Sequence, residues 1–392
     1  MKRRIAFSII IMLGMAPGLH AQASLDTLLN RVNKGNTDLI AARTLLQSQV
    51  LDARTGLTPD NPEVDFAYLW GTPDALGTRT DFAVSQSFDF PTVYSSKSKL
   101  SKINQAQAKL QYAATRQEIL LKAQQAWTTR VYLNIRESML SRRLDFAMKV
   151  FAGFERKLAT GEVNQLQVNQ ARMKVIALEN EFNLLQREFV KNNTELLNLS
   201  GNDVTPIADT VFPASAIMIL DSLLSAYKMN YLNQLFQSEV DRKAKEVDVV
   251  FNQKLPKLKA GYYSEKILNA KLQGIRAGIT IPLWGDARAV KTAKANLVFA
   301  ESNADRFWQH EQNEIKQRYK EWNYLREREL ELEQLLAISN DESLLRQAMI
   351  AGEISLTQYY YESDFYFQNL MNMLEFKKEL LLLEADLRKV YY

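Results

Sequence analysis

The residue types that carry covalent or metal chemistry are nearly missing from this chain. It has no cysteine and two histidines, His20 and His310, so neither a thiol nucleophile nor a histidine-rich metal centre can be assembled. His310 lies in Trp308-Gln309-His310-Glu311, within a long helical pattern, and reads as a helix-face residue. The carboxylates between Arg326 and Glu333 alternate with arginines at helix-neighbour spacing, which suits local ion pairs on a solvated face rather than an acid/base pair. Gly274-Ile275-Arg276-Ala277-Gly278 is a glycine cluster, but it sits in a strand pattern and makes no phosphate cradle. These residues predict a protein that is not an enzyme, with no cofactor and no metal site.

A second set of residues marks geometry. Ala159-Thr160-Gly161-Glu162 recurs as Ile350-Ala351-Gly352-Glu353, and Phe90-Pro91 recurs as Ile281-Pro282, both about 190 residues downstream, which is the signature of an internal duplication. Each copy holds two short alternating segments, a long run nearly free of Gly and Pro, a Gly-Glu turn and a second helical run.

The elements around these markers follow from periodicity. Residues 36 to 57 have helical spacing and stop at Gly56, ahead of Pro59 and Pro62. Glu63 to Trp70 alternates, with Val64, Phe66, Tyr68 and Trp70 on one side. Asp81 to Phe90 alternates likewise, with Phe82, Val84, Phe88 and Phe90 opposite Asp81, Ser85, Ser87 and Asp89. In the second copy Leu258, Ala260 and Tyr262 oppose Lys257, Lys259 and Tyr263. Ile275, Ala277, Ile279, Ile281 and Leu283 oppose Arg276, Gly278 and Thr280. Period two with aromatic enrichment predicts four strands, at about 62–70, 80–90, 255–264 and 274–283, joined by hairpin loops at Gly71 to Thr78 and Glu265 to Gln273. Their length is that of a strand crossing a bilayer with the tilt of a β-barrel, and Ile275, Ile279 and Ile281 form the expected lipid side of the last one.

The runs 92–158 and 286–351 predict helices, and about 65 residues correspond to roughly 100 Å. The helices after each turn carry seams at 3-4 spacing: Leu178, Phe182, Leu185, Phe189, Leu196 and Leu199, then Phe376, Leu380, Leu383, Leu387 and Val390. Such seams pack helices along their length. The first long run is rich in Ala, Ser and Gln, which permits close approach and leaves a polar, lining face. Residues 201–220, with Gly201, Pro206 and Pro213, read as a linker between the first repeat (24–200) and the second (221–392).

Lys2-Arg3-Arg4, the apolar Ile5 to Met15 and Ala21-Gln22-Ala23 have the pattern of a secretory signal peptide over 1–23. Removing those three cations takes the formal net charge from +4 to +1, so no basic surface for nucleic acid is indicated. No stretch is long and apolar enough for a spanning helix. A membrane role then falls to strands, and four strands cannot close a barrel, so copies of the chain must associate. Three copies are the fewest expected to leave a channel.

With these features in order, the chain resembles the TolC-like family of outer-membrane efflux proteins over essentially its whole mature length. The resemblance rests on Asn61-Pro62-Glu63-Val64, on Val84-Ser85-Gln86-Ser87-Phe88-Asp89-Phe90-Pro91, and on the tips Gly161 to Arg172 and Gly352 to Ser363. It implies a homotrimer with a shared twelve-stranded β-barrel and a long periplasmic α-barrel. It also implies a periplasmic adaptor and an inner-membrane transporter as partners, and a location in the outer membrane with most of the mass in the periplasm. The implied adaptor-docking tips are Gly161, Glu162, Gln167, Gly352 and Glu353. The family's narrowing acids, six and nine residues past the second tip glycine, are replaced here by Gln358 and Tyr361. Glu362, with Glu353 and Asp364, supplies nearby charge, and Tyr359-Tyr360-Tyr361 either closes the mouth or packs between helices. A periplasmic coiled-coil adaptor or scaffold is the alternative, and it would have no use for four bilayer-length strands.

Overall fold

Pro91 opens the longest helix of the chain, where its missing N–H is no loss and its fixed φ suits the first helical position. In a computed structural model, which describes residues 17–71, 77–203, 206–268, 270–282, 287–338 and 342–392, the elements run as follows. Helices α1 (Pro17–Gly35) and α2 (Thr37–Asp52) precede strands β1 (Glu63–Trp70) and β2 (Thr78–Phe88). Helices α3 (Pro91–Ala159), α4 (Gln165–Ser200), α5 (Leu220–Lys228) and α6 (Tyr231–Asn252) come next. Strands β3 (Lys257–Ile267) and β4 (Ala270–Thr280) then lead to α7 (Ala287–Ile338), α8 (Glu342–Ala351) and α9 (Leu356–Arg388).

These elements form two compact units. One comprises Met1–Ile40, Arg116–Leu224 and Glu314–Tyr392, the other Ala41–Thr115 and Ser225–Asn313. In the first, the stripe Leu25, Leu28, Val32 and Leu39 packs on Leu120, Ala123, Trp127, Val131 and Leu196. A second cluster joins Leu133, Leu140 and Ala147 of α3 to Val175, Leu178 and Leu185 of α4 and Leu374 of α9. The seams read from the sequence are thus the packed faces: Leu185, Leu196, Leu380 and Leu387 are fully buried, and Phe182 and Phe189 pack at the edge. Within this apolar interface Asn192 donates Nδ2–H to the Ala126 carbonyl at 2.9 Å and accepts from Arg130 Nε at 2.8 Å, so its buried amide is satisfied. Residues 206–219 lack helix and strand and are pinned at several points. Both Glu384 carboxylate oxygens accept the Ala216 N–H at 3.0 Å, and the Tyr319 hydroxyl donates to the Met218 carbonyl at 3.1 Å.

The second unit holds an antiparallel sheet in the order β1-β2-β3-β4. Its helical part is tied by the stacked pair Phe236 and Phe307, with ring centroids 4.1 Å apart, and by Gln107 donating to Glu239 at 3.1 Å.

Several boundaries differ from the sequence expectation. The second hairpin has no long loop: Glu265 to Ile267 and Ala270 to Gln273 continue the ladder, and Leu268, just past β3, takes a positive φ of 52°. Strand β4 therefore runs earlier than expected and ends at Thr280, leaving Ile281 just past the strand and Leu283 outside the described residues. Strand β2 begins at Thr78 and stops at Phe88, two residues before Phe90. The expected single helix over 286–351 is described as α7 and α8, with residues 339–341, Ser-Asn-Asp in sequence, outside the described residues. Of the expected signal peptide, residues 1–16 lie outside the described residues and 17–23 form the start of α1.

Candidate functional site: the sheet faces and the helix tips

The register of the sheet sorts its side chains into two unlike faces. Successive rungs of one face are Phe66, Phe82, Ser264 and Gln273, then Val64, Val84, Tyr262 and Ile275. Phe88, Leu258 and Ile279 lie further along the same face. This face is exposed: Ile275 is 91% accessible, and Phe66, Val64 and Ile279 are likewise open. Trp70, beyond the Phe66 rung, is 76% accessible. Ile275 and Ile279 thus share a face, and Ile281, though also exposed, is not part of the ladder.

The opposite face carries the sheet's paired charges, with Leu69, Ile267 and Leu272 at its hairpin end. Arg79 donates to Asp81 at 2.9 Å, to Glu265 at 3.0 Å and to the Tyr263 hydroxyl at 3.2 Å. Lys259 reaches Glu63 at 3.0 Å and Lys257 reaches Asp89 at 3.1 Å. Arg276 lies over the Tyr263 ring at 4.7 Å. The period-two pattern identified both faces, but the ion pairs join strands distant in sequence and depend on register. Gly261, on this face, is required by contact: a Cβ there would sit 2.4 Å from the Val84 carbonyl oxygen.

The two Gly-Glu turns are built alike. Gly161 and Gly352 take φ of 79° and 78°. The Gly161 N–H bonds to Leu158 O at 3.0 Å and the Glu162 N–H to Lys157 O at 2.9 Å. Gly352 bonds to Met349 O at 3.1 Å and Glu353 to Ala348 O at 2.9 Å. This is the Schellman pattern, which satisfies the last carbonyls of a helix and needs a left-handed residue at the glycine. The helices that follow start on Asn164, whose side chain accepts the Gln167 N–H at 3.0 Å, and on Ser355, whose hydroxyl accepts the Gln358 N–H at 3.1 Å. The internal repeat therefore extends to the capping residues. Gln167 is not a free tip group, since its Oε1 accepts the Asn164 N–H at 3.1 Å in a capping box. Glu162 accepts from the Thr160 hydroxyl at 2.7 Å, and Glu353 is exposed.

Beyond the second turn, Gln358, Tyr361, Glu362 and Phe365 share one exposed stripe of α9, with Tyr361 73% accessible. The tyrosine run divides: Tyr359 is 3% accessible and lies edge-on to Phe146 at 5.7 Å, and Tyr360 lies beside Lys174, with its ring 5.6 Å from Nζ. Burial raises the pKa of both phenols. Asp364 is committed to Arg143, at 2.7 Å, and to Lys174. Glu329, read as a solvated acid, is instead 7% accessible and paired with Lys377 of α9. Neither tie was visible locally, because both partners are brought in by helix packing.

Among the described residues no helix is long and apolar enough to cross a membrane, and no acidic, histidine or cysteine cluster is arranged to hold a metal ion.

No protein-family model matches the sequence, and no curated protein matches it. Solved structures do. CusC, a protein whose crystal structures concern folding and transmembrane channel formation, matches with a TM-score of 0.75 at 18% identity, over 94% of this chain and 92% of that one. The outer-membrane channel OprN matches with a TM-score of 0.74 at 14% identity, over 94% and 89% of the two chains. The chain has the fold of the TolC-like outer-membrane channels. The CmeC outer membrane channel of Campylobacter jejuni shares this TolC-like fold, with a TM-score of 0.71 at 16% identity over 94% of this chain and 85% of that chain.

Proposed function

We propose that the protein is an outer-membrane channel subunit of a multi-component exporter. It would be a passive duct from periplasm to exterior, located in the outer membrane with much of its mass in the periplasm. The observation that carries this reading is the four-stranded sheet: one face rich in exposed aromatic and aliphatic side chains, the other bearing the paired charges, and edges β1 and β4 without a partner strand among the described residues. Exposed edges and an exposed apolar face are unstable in water. Both are resolved if several copies close one barrel in lipid, and three copies give twelve strands and an open lumen. The apolar face then meets lipid and the charged face lines the water path. The adaptor-or-scaffold alternative leaves this face without a use.

The division of the mature chain into repeats at 24–200 and 221–392 fits this reading, each repeat giving one β-hairpin and one helical hairpin. The turns at Gly161-Glu162 and Gly352-Glu353 serve as the ends that meet a periplasmic adaptor and, through it, an inner-membrane transporter. The exposed stripe Gln358, Tyr361 and Glu362 forms the narrow end of the duct, with tyrosine and amide where an acidic ring would select cations.

The test is membrane fractionation followed by sizing with light scattering in detergent. Outer-membrane recovery and a trimer mass are expected. A water-soluble periplasmic monomer would sink the proposal.

A further inference from the structure

The sheet treats its cations in two ways. On the polar face Arg79, Lys257 and Lys259 each have a carboxylate partner, and Arg276 lies over a tyrosine ring. On the apolar face Lys266 of β3 stands directly across from Lys271 of β4. Among the described residues neither has an ion-pair partner, and both are exposed. Like charges directly opposed on neighbouring strands destabilise a sheet, so an anion bound between the two ammonium groups relieves this pair.

The position of the pair narrows the identity of that anion. Tyr68, Thr80, Lys266 and Lys271 make up one rung, at the hairpin end of the sheet. Trp70 and Thr78 lie beyond it, and Phe66, Phe82, Ser264 and Gln273 form the next rung inward. From Lys271 to Ile279 the strand climbs about 27 Å, or about 20 Å of depth at barrel tilt, against an apolar band about 25 Å tall. The lysine rung therefore falls at the edge of that band, level with Tyr68 and next to Trp70, where ring and headgroup meet.

Resting on the membrane reading above, we propose that Lys266 and Lys271 form a binding site for the phosphate of an anionic lipid headgroup. The site lies on the outside of the barrel, in the leaflet at the hairpin ends. The two ammonium groups bracket the phosphate oxygens while the acyl chains lie along the Phe66, Phe82 and Ile275 surface. Occupation removes the lysine–lysine repulsion, so barrel stability is coupled to lipid charge.

The experiment compares the full-length chain with a Lys266→Gln/Lys271→Gln variant, both reconstituted in phosphatidylcholine vesicles with or without phosphatidylglycerol as the anionic probe. Native mass spectrometry reads retained lipid, and a thermal melt reads the barrel. The expected result is a several-fold preference of the wild type for the anionic lipid, lost in the variant. In pure phosphatidylcholine the variant should melt higher than the wild type, because the like-charge pair is gone, and the order should reverse in the anionic mixture. Equal anionic retention by both proteins, or melts insensitive to lipid charge, overturns the site. Inorganic phosphate stabilising the wild type in phosphatidylcholine as much as the anionic lipid does would overturn the lipid assignment in favour of free phosphate. A wild type that fails to insert overturns the membrane reading and this site with it, whereas insertion without charge preference overturns the site alone.

Discussion

Gly35 and Gly201 approach so closely that a Cβ on Gly201 would lie 2.1 Å from the Gly35 carbonyl oxygen, and one on Gly35 would lie 2.8 Å from the Ser200 carbonyl oxygen. The contact joins the end of α1 to the C-cap of α4, where Gly201 sits at φ 68° and bonds to the Leu197 carbonyl. Beside it, Asn36 donates to Leu199 O at 2.9 Å and accepts the Leu39 N–H at 2.9 Å, so one side chain both ties α4 and caps α2. Gly201→Ala combines a left-handed backbone, costing about 1–2 kcal/mol, with a backbone clash that no side-chain rotation relieves. Its urea midpoint should fall well below that of wild type. An unchanged midpoint would mean that the helix ends do not meet as described.

The two faces of β4 predict opposite tolerances. Ile279 lies on the apolar face, and Thr280, opposite Lys257, on the polar one. Ile275→Arg, on the same apolar face and about 10 Å of depth from the Lys271 rung, should cost about 2–4 kcal/mol and lower the yield of assembled trimer in outer membranes, whereas Thr280→Glu, which sets an acid opposite Lys257, should assemble at the wild-type level. Equal yields would show that the lipid side is wrongly assigned.

At the tips, Gly352 needs a positive φ that a β-branched residue resists. Gly352→Val, or Glu353→Lys, is expected to abolish export in cells while leaving trimer formation and outer-membrane insertion intact. Photo-crosslinking from positions 162 and 353 checks the reason. Absence of any adaptor adduct in exporting cells would remove the tips from the mechanism.

Acid should loosen the sheet-bearing unit through Glu239. The Arg242 guanidinium hydrogen-bonded to it holds its pKa below the usual value, with further help from Gln107 and Lys243 against an opposing effect of burial. A carboxylate with a lowered folded pKa contributes stability above the ordinary Glu value of about 4.3. That contribution is lost as pH falls through the lowered value. Glu239→Gln should flatten this part of the stability–pH curve, read as melting temperature from pH 6 to pH 3. A variant with the same acid-side slope as wild type would assign the loosening to other carboxylates.

The sequence alone determined the elements and their repetition, because those are local. Glu63 to Trp70 alternates and is a strand with those bounds. Pro91 starts α3, and Gly161 and Gly352 are the left-handed residues that end their helices. The period of Leu178, Leu185 and Leu196 is the buried face of α4. Only the tertiary structure decided what lies between distant segments. β4 begins earlier than its alternation suggested, at Ala270, just after Leu268 holds a positive φ that its side-chain type does not advertise. The pairing of β2 with β3 placed Arg79 beside Glu265 and set the neighbours of the rung in which Lys266 faces Lys271. Helix packing bound Asp364 to Arg143 and buried Glu329 against Lys377. Periodicity reports which way a side chain points along its own element, whereas register and helix crossing report what it meets, and that depends on residues far away in the chain.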